Sequence, residues 1–285
     1  MLIVALGLSS AIAWGLADFL GGFKNRQLDI WMVGLSSQLA ALLICAPVLL
    51  TVGGPVPEDR VLVYGALAGV ANAIGLITFY RALALGRMSI VAPIVGMSAL
   101  LPVIVGVISG ERPSLLQSAG IAIGIAGIVL ASRELDHEVA ERAASSRSVI
   151  LLSIVAATMV GANLIGIEKA VALSDDTSVL WPIAAARTSA VVLIFIGAVA
   201  TGHLRAPGRR HVPALIALGA LDLAANVLYA HATQETLLSV AAVLASLHPV
   251  VTILLARLVL DERLRRIQQL GVALAIAGVC LIAGG

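Results

Sequence analysis

The sequence predicts an all-α integral membrane protein: ten transmembrane helices, arranged as two inverted five-helix repeats. Three observations carry that prediction. Of 285 residues, 60% are hydrophobic and 12% charged, about half the charged share of a soluble domain, and the mean hydropathy is +1.06. Apolar runs of about 20 residues, long enough to cross a bilayer as helix, recur along the whole chain. The two halves also end on nearly the same residues. Glu111-Arg112, Gln117, Gly120, Ala122, Ile125, Ala126, Gly127 and Leu130 recur 151 positions later as Glu262-Arg263, Gln268, Gly271, Ala273, Ile276, Ala277, Gly278 and Leu281. Shared apolar composition yields a chance Ala or Leu, but not Glu-Arg, Gln and two glycines in one register. The chain is internally duplicated.

The first run, Leu2 to Gly22, has no basic residue ahead of it and exceeds a signal-peptide core, so it reads as a retained span. The first half continues with Ile30 to Val52, Val61 to Tyr80, Ser89 to Ser109 (with Pro93 and Pro102 inside it) and Ser114 to Ala131. The second half runs Val149 to Ala170, Val179 to Thr201, Val212 to His231, Leu237 to Leu258 and Ile267 to Ile282. Backbone in lipid must satisfy its own hydrogen bonds, and the polar–apolar alternation of a membrane barrel is absent, so the runs are helices. Cys45 and Cys280 both fall in spans and read as free thiols.

The expected organisation is therefore a first repeat at 1–131, a charged linker at 132–148 and a second repeat at 149–285. Five spans is an odd number, so the second copy enters the membrane upside down. That is the plan of secondary transporters that bind substrate near the midplane and alternate access between the two sides. The basic residues orient it. Fourteen of the eighteen Lys and Arg residues fall in or beside odd-numbered loops, three (Arg60, Arg112, Lys169) flank even-numbered loops, and Arg187 lies inside a span. The odd loops are then cytoplasmic and both chain ends outside.

Trp14-Gly15 in span 1, Arg187 in span 7, and the turns Gly110-Glu111-Arg112 and Leu260-Asp261-Glu262-Arg263 form a recognisable set. Each turn precedes a Gln and a Gly-rich closing helix. In these features, over essentially its whole length, the chain resembles the EamA family of the drug/metabolite transporter superfamily. The resemblance implies a secondary transporter of amino acids, other metabolites or drugs, working mostly outward. It departs from the pattern at Gln38, which stands about where Arg187 stands in the second half. The turns differ as well: Pro113 follows the first, Leu264-Arg265-Arg266 the second.

A charge at the membrane centre costs about 2.5–3.5 kcal/mol on insertion scales, so polar residues there need a partner, water or a task. Asp222, Asn226 and Tyr229 share one helical face at 100° per residue. They form either a cavity wall, with Asp222 binding an ammonium or a proton, or a hydrogen-bond cluster that holds the bundle together. Trp14 offers an aromatic wall, and Asp18 on the same face is a gate or a solvated helix end. Arg187 suits a carboxylate, either the substrate's or that of Asp222 or Glu168; its recurrence in the family favours a structural bridge. His248-Pro249, with Met97-Ser98 as counterpart, marks a broken or kinked span 9 facing the cavity, and His248 is either a ligand or a satisfied core histidine. Asn72, Tyr80 and Asn163 are further cavity candidates, and His231, the counterpart of Tyr80, is a further candidate for the gate. Glu111 and Glu262 read as structural residues at helix starts, offsetting unsatisfied amides and the dipole. Gly120, Gly124 and Gly127, with Gly271 and Gly278, are candidates for tight helix contacts, within the chain or between copies.

No zinc-protease, P-loop or nucleophile-elbow motif is present, and no loop is long enough to fold an ATPase domain. The expectation is a non-enzyme without metal or cofactor and without a nucleic-acid partner, monomeric or homodimeric, embedded in the cell's inner (plasma) membrane. Its expected task is to export small organic metabolites, amino acids with apolar or aromatic side chains first. A lipid-intermediate flippase or a general drug/metabolite facilitator is the alternative.

The orientation is testable directly. In a variant lacking Cys45 and Cys280, a cysteine placed at Arg205 is expected to escape an impermeant thiol reagent added to intact cells; labelling there would reverse the topology.

Overall fold

The computed structural model describes residues 2–25, 27–85, 91, 94–131, 147–174, 178–260 and 266–285. Within them the chain is helical and contains no strand. The helices are α1 (Leu2–Asn25), α2 (Ile30–Val52), α3 (Asp59–Leu85), α4 (Leu100–Ile108), α5 (Leu115–Ala131), α6 (Arg147–Ala172), α7 (Leu180–Ala200), α8 (Val212–Glu235), α9 (Leu238–Ala245), α10 (His248–Leu260) and α11 (Arg266–Gly284). Glu262, Pro93 and most of the expected linker lie outside the described residues.

Seven of these segments are long and apolar enough to cross a membrane: α1, α2, α3, α6, α7, α8 and α11. Three shorter apolar stretches, Ile94–Ile108, Leu115–Ala131 and Leu238–Thr252, stand where spans 4, 5 and 9 were expected. Spans 4 and 9 depart from continuous helix at the same register of the repeat. A turn of 3-10 helix at Met97–Ala99 leads into α4, and 151 positions on, α9 ends at Ala245 and α10 begins at His248. Pro249 occupies the first turn of α10. An amide there has no intrahelical acceptor in any case, so the proline removes no hydrogen bond from α10.

Local chemistry fixes several ends. Asp29 caps α2, accepting from the Trp31 amide at 2.9 Å, and Gly54, at φ +65°, follows its C-terminus. Ser114 and Gln117 form a reciprocal capping box at the start of α5, the Ser114 amide donating to Gln117 Oε1 at 2.9 Å and the Gln117 amide to Ser114 Oγ at 3.1 Å. The repeated Gln is thus a cap. Glu111, expected to serve the helix that follows it, turns elsewhere. Its carboxylate accepts from the amides of Leu238 at 2.6 Å and Ser239 at 3.1 Å, capping α9 in the other half.

The strongest packing joins the two halves. α3 lies against α6 and α7; its counterpart α8 lies against α1 and α2. α2 meets α7 and α5 meets α11, each pairing a helix with its own repeat, while α4 meets α9 where spans 4 and 9 cross. The α5–α11 crossing is close. A Cβ on Gly278 would lie 2.7 Å from the Gly124 amide nitrogen, and one on Gly120 would lie 2.7 Å from the Gly278 carbonyl oxygen. The glycine faces proposed from sequence are therefore occupied by each other within one chain.

Widening that crossing should be costly. Gly278→Val is expected to lower stability by about 1–3 kcal/mol or more, the range for overpacking, seen as a lower unfolding temperature in detergent. Gly22→Ala, with open space around it, is expected to leave that temperature unchanged or slightly raised; equal effects at both sites would contradict the packing account.

Candidate functional site

A cavity of about 110 Å³ lies between the halves. Trp14, Asp18, Gln38, Asn72, Phe79 and Tyr80 of the first half line it together with Asn163, Asp222, Ser246 and His248 of the second. It occupies one side only. Its residues come from the C-terminal parts of α1 and α3, the N-terminal parts of α2 and α8, the middle of α6, and the break before α10. These parts converge: a Cβ on Gly21 of α1 would lie 2.8 Å from the Tyr80 hydroxyl and 3.4 Å from Leu218 of α8. The parts of α1, α2, α3 and α8 that line it are those nearer the odd-numbered loops.

The opposite side is closed by bonds between halves. Ser10 Oγ donates to the Ala225 carbonyl at 2.9 Å, and Trp181 Nε1 donates to the Gly53 carbonyl at 3.0 Å. Glu111 holds α9 at that end, as described above. Within the second half, Tyr229 Oη donates to the Leu164 carbonyl at 3.1 Å.

Asp222 is the most heavily coordinated side chain of the site. Its Oδ1 accepts from Trp14 Nε1 at 2.9 Å and Asn226 Nδ2 at 3.3 Å. Its Oδ2 accepts from Gln38 Nε2 at 3.0 Å and the Arg187 guanidinium at 2.5 Å. The same Arg187 nitrogen donates to Gln38 Oε1 at 2.6 Å, and its other terminal nitrogen to the Asp222 carbonyl at 3.3 Å. Arg187 is 3% exposed and does not line the cavity. Four helices, α1, α2, α7 and α8, thus meet on one carboxylate, and Arg187 bridges to Asp222 rather than to Glu168.

Asp18 sits differently. Its Oδ2 pairs with His248 Nδ1 at 2.7 Å, and both side chains open on the cavity. α10 approaches because Gly15 leaves room: a Cβ there would lie 2.5 Å from Val251 Cβ. Thr252 Oγ1 reaches back to the Gly15 carbonyl at 3.1 Å.

Of the residues proposed from sequence, Trp14, Asp18, Asn72, Tyr80, Asn163, Asp222 and His248 come together around this cavity. Met97, Asn226, Tyr229 and His231 do not line it. Asn226 donates to Asp222 from the side, Tyr229 is fully buried, and His231 is exposed, its Nδ1 lying 3.1 Å from Gln234 Oε1. Gln38, Phe79 and Ser246 are lining residues that were not proposed as ligands. The uncharged but polar Gln38, deep in an apolar span, carried the same signal that singled out Asn72.

Three comparisons place the chain among known proteins. The model of the EamA-like transporter family matches twice, at residues 1–133 and 147–284. An uncharacterised protein of Methanocaldococcus jannaschii is 28% identical over 133 residues, which cover 45% of this chain and 95% of that protein, so it is about one repeat long. A solved crystal structure superposes with a TM-score of 0.77 over 98% of this chain and 96% of its own at 15% identity, a likeness of fold alone.

The ion pair makes a quantitative prediction. Arg187→Met leaves the partly buried Asp222 carboxylate without its cation and is expected to cost up to about 3–5 kcal/mol in unfolding experiments in detergent. Adding Asp222→Leu should recover part of that loss; strictly additive effects would mean the pair is not coupled.

Proposed function

The chain belongs to the EamA-like transporter family, and on that premise we propose that it exports small organic metabolites by alternating access, amino acids with apolar or aromatic side chains first. The observation that carries this reading is the one-sided cavity between two repeats. It reaches from the middle of the bundle toward the helix ends beside one set of loops, and bonds between the halves cross the other side. A transporter that rocks one repeat against the other needs both features.

In this reading the ten spans form two inverted five-helix repeats. The exchange-related packing of α3 on α6 and α7 and of α8 on α1 and α2 supports it, as do the matching irregularities in spans 4 and 9. Interrupted helices at corresponding positions of two repeats are what a midplane site is built from. The basic residues put the odd loops in the cytoplasm of a cell whose inner membrane holds the protein. The open cavity then faces inward, ready to load cargo for export. Trp14, Phe79 and Tyr80 supply an apolar, aromatic wall, and Asn72 and Asn163 supply amide donors and acceptors. In this reading flux is driven by a gradient, by exchange or by simple facilitation.

The test is efflux of a panel of labelled amino acids from proteoliposomes containing the purified chain. Saturable flux is expected, faster for phenylalanine and leucine than for glycine. Absence of saturable flux for the whole panel would turn the search to other metabolites or to lipid-linked cargo.

A further inference from the structure

We propose that Asp18 and His248 form an exchange site, where a proton on the imidazole and the ammonium group of a protonated amine compete for one carboxylate. The proposal rests on the transporter reading above and names the cargo group that the cavity recognises.

The argument starts from which charges are already answered. Asp222 takes donors from Trp14, Gln38, Arg187 and Asn226. The guanidinium that neutralises it is buried behind the cavity wall, out of reach of a substrate carboxylate. Asp18 is one-third exposed, at 33%. Its Oδ1 accepts no hydrogen bond among the described residues, and His248 alone occupies Oδ2. For the carboxylate to accept, Nδ1 of His248 carries the hydrogen, which leaves Nε2 as a lone pair without a partner among the described residues.

Among the described residues, no Lys or Arg lines the cavity. The other titratable or charged groups facing the pair, among the described residues, are Tyr80 from α3 and Asp222 from α8, the latter matched by Arg187 from α7. α2 contributes Gln38 and Ser37, α6 contributes Asn163, and the α9–α10 break contributes Ser246; none of these ionises. With the imidazole neutral, the cavity holds one uncompensated negative charge, on Asp18. A single monovalent cation cancels it. A proton on Nε2 makes an imidazolium–carboxylate pair; an ammonium at Oδ1 makes an ammonium–carboxylate pair. Both together leave a net positive charge between apolar walls, where charge interactions are weakly screened. The two cations therefore exclude each other.

The exchange balances simply. As the amine arrives with its own protons, the Nε2–H bond of His248 breaks and that proton passes to water in the cavity. The aromatic groups select the rest of the ligand. Trp14 stands edge-on to His248 at 6.3 Å between ring centroids, and Phe79 and Tyr80 complete a wall that suits the cation and an apolar body. An anion without an ammonium group finds no cationic lining residue apart from a protonated His248.

The experiment uses the purified full chain in detergent and three probes that share a benzyl unit: phenethylamine, phenylalanine and phenylacetate. Calorimetric titrations run from pH 5.5 to 8.5 in buffers of different ionisation enthalpy. Phenethylamine is expected to bind best, phenylalanine more weakly and phenylacetate not at all. Phenethylamine affinity should fall on acidification across this series, by up to about tenfold per pH unit for one competing proton, with up to one proton released per amine bound. Asp18→Asn should abolish amine binding in a chain that stays monodisperse. His248→Gln should retain binding and flatten its pH dependence between pH 7 and 5.5. Failure of phenethylamine to bind, a pH-independent wild-type affinity, or undiminished binding by Asp18→Asn would overturn the proposal. Saturable amino-acid flux in proteoliposomes, found alongside any of those failures, would leave the transporter reading standing. Loss of all flux with proton-linked amine binding intact would overturn the transporter reading and keep the site.

Discussion

A charge held among apolar helices has to be answered by another, and Asp222 is answered more fully than any other side chain in this cavity. Its partners come from both repeats: Trp14 and Gln38 from the first, Arg187 and Asn226 from the second. A buried pair of this kind adds little net stability, because desolvation opposes the Coulombic gain. What it does is set geometry. α1, α2, α7 and α8 meet on one carboxylate in the cavity lining, which ties their registers together. It also decides which acid is left with chemistry to do, since the guanidinium is consumed and Asp18 is not.

The duplication repeats the scaffold and not the chemistry. The residues that recur at the 151-residue offset are the Glu-Arg turn, the Gln and the crossing glycines. Glu111 and Gln117 of the first copy serve as helix caps, and the glycines bring α5 against α11. The polar cavity residues do not recur. Asp18 stands opposite Lys169, His248 opposite Met97, Trp14 opposite Ile165, Arg187 opposite Ser36 and Asp222 opposite Ala71. Two similar folding units thus frame a site that is chemically one-sided, which suits a carrier that treats the two faces of a membrane differently.

Much of this was legible in the sequence. α2 begins and ends at the expected residues because Asp29 and Gly53-Gly54 punctuate it, and hydropathy located the other long helices to within a few residues. Spans 4 and 9 were harder: an apolar run shows no break in hydropathy where the backbone changes course, and only the prolines and His248 hinted at it. The stripe Asp222-Asn226-Tyr229 was rightly placed on one face. At 1.5 Å per residue, however, Tyr229 lies about 10 Å along the helix from Asp222, beyond the cavity floor and in the closed side. Least legible were the pairings between halves. Asp18 with His248 and Glu111 with α9 join residues far apart in the chain, and periodicity gives the face of a helix without naming what packs on it.

The packing between repeats also bears on what the connection between them is for. Nearly every major helix contact crosses from one half to the other, whereas contacts within a half are sparse. Neither half therefore encloses a core by itself, and each finishes the other's helix ends and fills its grooves. The covalent join between α5 and α6 keeps two partners at high local concentration rather than bearing the load between them. A nick there, once the protein has assembled, would leave a two-chain object with the same cavity, held together as a permanent heterodimer is.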